Sequence, residues 1–126
     1  MSFSMKKPCD NCPFLREGGI RLTPDRVREI GGMMLSPDGG EFPCHKTVDN
    51  ERRRPSDEEH CAGAMIFAEK NGNATQTLRI AERLRLYDAA SLMANEEAVA
   101  SVFCGLAEML AVNRKTLGWP EVVGAK

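Results

Sequence analysis

Long apolar runs are missing from this chain. The longest, "CAGAMIFA" at Cys61–Ala68, is far too short to cross a bilayer. No positively charged start leads into an apolar segment of signal-peptide length, so the expected compartment is the cytoplasm. A charge bias is missing too. Of 17 basic and 18 acidic side chains, residues 1–70 carry 11 and 12, and residues 71–126 carry 6 and 6. Neither half is a basic arm or an acidic tail, and global electrostatics draw the chain toward neither nucleic acid nor membrane. Alternating strand patterns of convincing length, internal repeats and low-complexity tracts are also lacking. Catalytic signatures are sparse as well. No Ser-His-Asp ordering, phosphate-binding glycine loop or paired acid/base carboxylates stand out, which counts against an enzyme.

What is present suits one folded domain spanning 1–126: 126 residues, 42% hydrophobic and 28% charged. Thr23 offers an N-cap with Pro24 at the first helical position, so "TPDRVREIGGMML" should start a helix, weakened in its second half by Gly31 and Gly32. Ser36 to Pro55 is dense in turn residues and reads as a long irregular connection that something must pin. Ser56 with Glu59 forms a capping box for a second helix ending at Asn71-Gly72, which puts Cys61 in its second turn. A third helix, "TQTLRIAERLRLYDAASLM", places Ile80, Ala81, Leu84 and Tyr87 on one face, opposite Arg79, Glu82 and Arg83. Asn95 caps a last one, with Val99, Val102, Phe103, Leu106 and Leu110 on its apolar face. The expected fold is all-α, about four helices. Its irregular half, 1–70, is organised by cysteines, and a helical hairpin over 71–120 completes the core.

Five cysteines in a reducing compartment are better explained by ligation than by disulfides. The first four read Cys9-x2-Cys12-x31-Cys44-x16-Cys61, with His45 after Cys44 and His60 before Cys61. A two-residue gap lets both sulfurs of the Cys9/Cys12 knuckle converge on one centre. Cys104, on a helix beside Phe103 and Leu106, reads instead as a small core hydrophobe. A thioredoxin-like dithiol would need a βαβ context that this chain lacks. Structural zinc usually takes two paired knuckles, whereas iron–sulfur clusters accept one close pair plus distant single cysteines, and Cys12-Pro13 also suits them. Four thiols available without recruiting histidine favour a [4Fe–4S] cluster on Cys9, Cys12, Cys44 and Cys61. The alternative is Zn2+, with His45 and His60 as substitute ligands or as partners of the ligating sulfurs.

The motifs "CDNCPF", "FPCHKT" and "CAGA" together resemble those of a family of small uncharacterised phage and bacterial proteins built on a CxxCP-aromatic start, a CH step and a C-A-G step. The similarity covers Pro8 to about Lys70. It implies a shared cysteine site and a phage or mobile-element origin, and leaves the C-terminal helices outside.

Arg52, Arg53 and Arg54 lie between two expected ligands, with Lys6, Lys7 and Lys46 flanking the others, so metal binding would gather basic residues on one side. A nucleic-acid-contacting patch or a transcription-related protein partner would follow, although "DNERRRPSDEE" also reads as a self-neutralised loop. Three roles stay open: a cluster-bearing regulatory or nucleic-acid-associated module, a zinc-stapled protein-interaction domain, and a small iron–sulfur enzyme.

Overall fold

The computed structural model describes residues 3, 6–8, 12–39, 42, 60–73 and 75–117. These contain six helices, α1 (Pro24–Leu35), α2 (Ala62–Lys70), α3 (Gln76–Arg83), α4 (Ala89–Met93), α5 (Glu96–Ser101) and α6 (Leu106–Leu117), and no strand. The fold is all-α. No described helix is long and apolar enough to cross a membrane.

The first helix begins where the sequence places it, with Thr23 as N-cap and Pro24 inside, and it ends at Leu35, with Ser36 as C-cap before Pro37. Gly31 and Gly32 do not interrupt it. Gly31 is buried against α6, where a Cβ would stand 2.7 Å from Leu106 Cδ1, so the missing side chain lets the two helices approach. Val27, Ile30 and Met34 fill the rest of that face.

The second helix is apolar all round, and Ala62 through Ala68 are all buried, as a helix with no polar face requires. It packs between α1 and α4, and its Phe67 ring meets Phe14 at 5.1 Å. Its C-terminus closes in a Schellman motif. Gly72 sits at φ 67, Asn73 N–H donates to Ala68 O and Gly72 N–H to Glu69 O. Lys70, in the last turn, donates to Val99 O and Val102 O, which ties α2 to the end of α5.

The single helix expected after Thr75 is two. It stops at Arg83 because the chain makes a second Schellman motif, with Leu86 N–H donating to Ala81 O and Arg85 N–H to Glu82 O. Here the left-handed residue is Arg85, at φ 61, with no glycine to announce the turn. The consequence corrects the expected face: Leu78, Ala81 and Tyr87 are buried, but Ile80, Leu84 and Leu86 point outward. Tyr87 reaches back to α2, donating its hydroxyl hydrogen to Glu69 Oε2 at 2.7 Å.

The last expected helix also divides. Asn95 accepts from Ala98 N–H as anticipated, but the helix opens after Ser101, ahead of Gly105. There the chain is extended and pairs with the N-terminal lead: Arg16 N–H donates to Ser101 O and Phe103 N–H to Phe14 O, forming the Leu15–Val102 bridge. Val102 and Phe103 are buried by this pairing, so the apolar pattern is used although the helix is not continuous. Four short helices therefore stand where a hairpin was expected. Asn113, buried in α6, accepts from Leu22 N–H and anchors the segment leading into α1.

Candidate metal centre

Two of the four expected ligands lie among the described residues, and they meet. Cys12 Sγ and Cys61 Sγ are 3.4 Å apart, both buried, although 49 positions separate them in the chain. That separation is well beyond a disulfide bond of about 2.05 Å, so the sulfurs share a hydrogen bond.

Cys61 is the N-cap of α2, at φ −62 and ψ 121, and not a residue of its second turn. The helix starts later than expected because the chain ahead is held in a bridge: Cys61 N–H donates to Phe42 O at 2.7 Å, and Phe42 N–H donates to His60 Nε2 at 3.1 Å. The Ser56–Glu59 capping box lies outside the described residues. The hydrogen bond with Cys12 is the largest influence drawing the Cys61 thiol below the ordinary thiol range, against burial, which pushes it up. The Ala64 and Gly63 amides at the helix start add to the lowering, although neither makes a full capping hydrogen bond to the side chain.

Room for the second sulfur comes from Gly63. A Cβ there would overlap Cys12 Sγ and stand 3.2 Å from Phe14 Cβ, so the C-A-G step is a seat for Cys12. Cys12, Pro13 and Phe14 are all buried, and Leu15 N–H donates to Cys12 O in the turn that follows. Phe14 packs edge-on against Phe42 at 5.5 Å. The motif aromatic and the "FPCH" aromatic thus meet over α2.

His60 is fully buried, stacked on Phe3 at 5.4 Å. Its Nδ1 is 3.3 Å from Cys61 O and its Nε2 accepts from Phe42, which fixes the neutral tautomer with the hydrogen on Nδ1. Both nitrogens are therefore committed to backbone groups, and in this arrangement neither is open to a metal. Burial lowers its pKa to about 4, partly offset by the bond to Cys61. His60 positions Cys61 through the backbone.

Cys9, Cys44, His45, Lys46, Arg52, Arg53 and Arg54 lie outside the described residues, and among the described residues no three His, Cys, Asp or Glu side chains gather at one point. Cys104, expected in the core, is exposed. The break ahead of Gly105 turns it out beside Arg16, whose guanidinium donates to its sulfur and pairs with Glu108 at 3.1 Å. An apolar cleft of about 240 Å³ opens beside Cys61, lined by Pro13, Ile20, Leu22, Arg26, Ile30 and Phe42. Gly63 and Phe42 went unassigned in the sequence, although the small-residue step after Cys61 and the aromatic before Pro43 are the signals that mark them.

No family model, curated protein or solved structure matches the chain. The likeness to the phage and bacterial cysteine proteins rests on its three motifs alone.

Proposed function

We propose that this chain is a small zinc-stapled protein-interaction domain in which Cys9, Cys12, Cys44 and Cys61 hold one ion and thereby close the cysteine-bearing half onto α2. The observation that carries the reading is the 3.4 Å approach of Cys12 Sγ and Cys61 Sγ. Two thiolates at 2.3 Å from one tetrahedral zinc stand about 3.8 Å apart, so the pair needs only a small adjustment to share an ion. Sulfurs bound to different irons of a cluster straddle an iron–iron edge and must stand wider. The pair is already buried, its negative charge is favoured by a helix N-terminus, and the neighbouring histidine is committed to the backbone. Short tethers serve the other two thiols. At about 3.8 Å per residue, Cys44 starts within about 8 Å of Phe42, whose backbone bonds Cys61, and Cys9 within about 11 Å of Cys12.

A [4Fe–4S] centre on the same four cysteines is the second reading. It is favoured by the one-pair-plus-singles spacing and by Cys12-Pro13, and it requires Cys12 and Cys61 to separate. The nucleic-acid-associated role belongs to that reading and rests on Lys46 and Arg52–Arg54. Anaerobic purification followed by metal and sulfide counting separates the two. One zinc per colourless chain supports the proposal, iron with acid-labile sulfide in a brown protein replaces it with the cluster, and a folded chain with neither metal overturns both.

A further inference from the structure

The corner joining α3 to α4 displays aliphatic side chains that the fold does not use. Ile80 is 50% exposed, Leu84 63% and Leu86 57%, and the first two stand one helical turn apart. Arg79, Arg83 and Arg85 stand among them, all exposed, with Glu82 and Asp88 as the local acids. None of these three guanidinium groups enters an ion pair among the described residues, whereas Arg16, Arg26 and Arg28 each have a carboxylate partner. An open hollow of about 650 Å³ lies along α3, lined among the described residues by Gln76, Arg79, Ile80, Glu82 and Arg83. The turn that sets Leu84 and Leu86 outward is held by Arg85 in the left-handed region, a conformation that glycine adopts more cheaply.

We infer that this corner docks an acidic segment of a partner protein carrying aliphatic residues at helical spacing. Two features of the patch select that partner. Three arginines without an ion pair among the described residues, against the two carboxylates of Glu82 and Asp88, leave the corner net positive and call for negative charge, and arginine is a residue enriched at protein interfaces. Three aliphatic side chains at half exposure or more call for apolar cover, which a phosphate backbone does not supply. A second copy of the chain is the poorer match, because it would bring an equally net-positive corner to the contact. The inference rests on the reading of the chain as an interaction domain, though not on which metal it holds.

The test uses the full metal-loaded chain and three fluorescent probes: a helical peptide with Leu at i, i+3, i+4 and i+7 among Glu and Asp, the same peptide with Lys for its acids, and a single-stranded oligonucleotide. Fluorescence anisotropy should show binding of the acidic peptide only. The double variant Leu84→Ser/Leu86→Ser should weaken it by at least about tenfold, and Arg83→Ser should weaken it and flatten its salt dependence. Arg85→Gly is the decisive variant, because it should lower affinity while holding or raising the melting temperature. Equal binding of both peptides, or no binding of the acidic one, overturns the inference. So does oligonucleotide binding that falls with the arginine variants and ignores the leucine pair, which would assign the corner to nucleic acid. Metal content, measured on every variant, should match the unaltered chain, so a failure here leaves the metal reading standing.

Discussion

Helices α2 and α3 end in the same hydrogen-bonded motif and otherwise differ in nearly every respect. The first has no polar face and is buried from Ala62 to Ala68, while the second is strongly two-sided and turns Ile80 to solvent along with its charges. The first closes on Gly72, the second on Arg85. At its start α2 carries a buried sulfur pair, whereas α3 starts on Thr75, whose hydroxyl accepts from Leu78 N–H. The difference teaches where this fold keeps its stability and where it leaves surface over. Cover for α2 comes from α1, α4 and the aromatic lead, and a helix so enclosed has no side left for a partner. The α3 face is only partly used, and its closing turn is held in a conformation unfavourable to its own residue.

The comparison breaks most severely at the start of α2. Replacing Cys61 by Ser should abolish metal retention and cost more than about 3 kcal/mol, read by denaturant unfolding with metal counting. Cys104→Ser, at an exposed corner, should stay within about 0.5 kcal/mol of the unaltered chain.

Acid should act next most strongly, through His60. Its folded pKa of about 4 lies below the ordinary 6.5, so between these values the unfolded chain binds the extra proton. Stability is therefore full above pH 6.5, falls by up to about 3 kcal/mol as pH drops to 4, and this contribution is flat below. Urea melts of the metal-free chain across that window should show the fall, and His60→Gln should remove it. Gly63→Ala should cost about 2 kcal/mol by pushing Cys12 Sγ off its seat, and should weaken metal binding in a competition titration.

The smallest effect is the most pointed, because it exchanges the two caps. Gly72→Ala should destabilise by about 1 kcal/mol, since its φ of 67 disfavours a Cβ, while Arg85→Gly should stabilise by a similar amount. Thermal melts of both variants read the pair of signs.

Those two caps also show what the sequence could and could not reveal. Asn71-Gly72 announces a stop because glycine carries the left-handed conformation in its identity, whereas Arg85 adopts it through tertiary context and leaves no mark in composition. Once that stop is missed, Leu84 is assigned to a helix face that no longer exists, and the exposed corner stays hidden. The last helix opens at Val102, which turns extended to pair with the N-terminal lead, again through tertiary context, and with it went the assignment of Cys104 to the core. The approach of Cys12 to Cys61 was legible in the cysteine motifs taken together, though not in the two-residue spacing, which concerns Cys9, outside the described residues. Their separation was not, since it depends on Gly63 leaving space in three dimensions. That distance is the observation on which the proposed single-ion reading rests.

The central claim is that Cys12 and Cys61 bind the same metal ion, and X-ray absorption at the metal edge of the purified chain tests it most directly. The account predicts a zinc edge with a sulfur shell at about 2.3 Å and no metal neighbour. An iron edge with a second iron close by, or zinc whose sulfur shell is unchanged in Cys61→Ser, would contradict it.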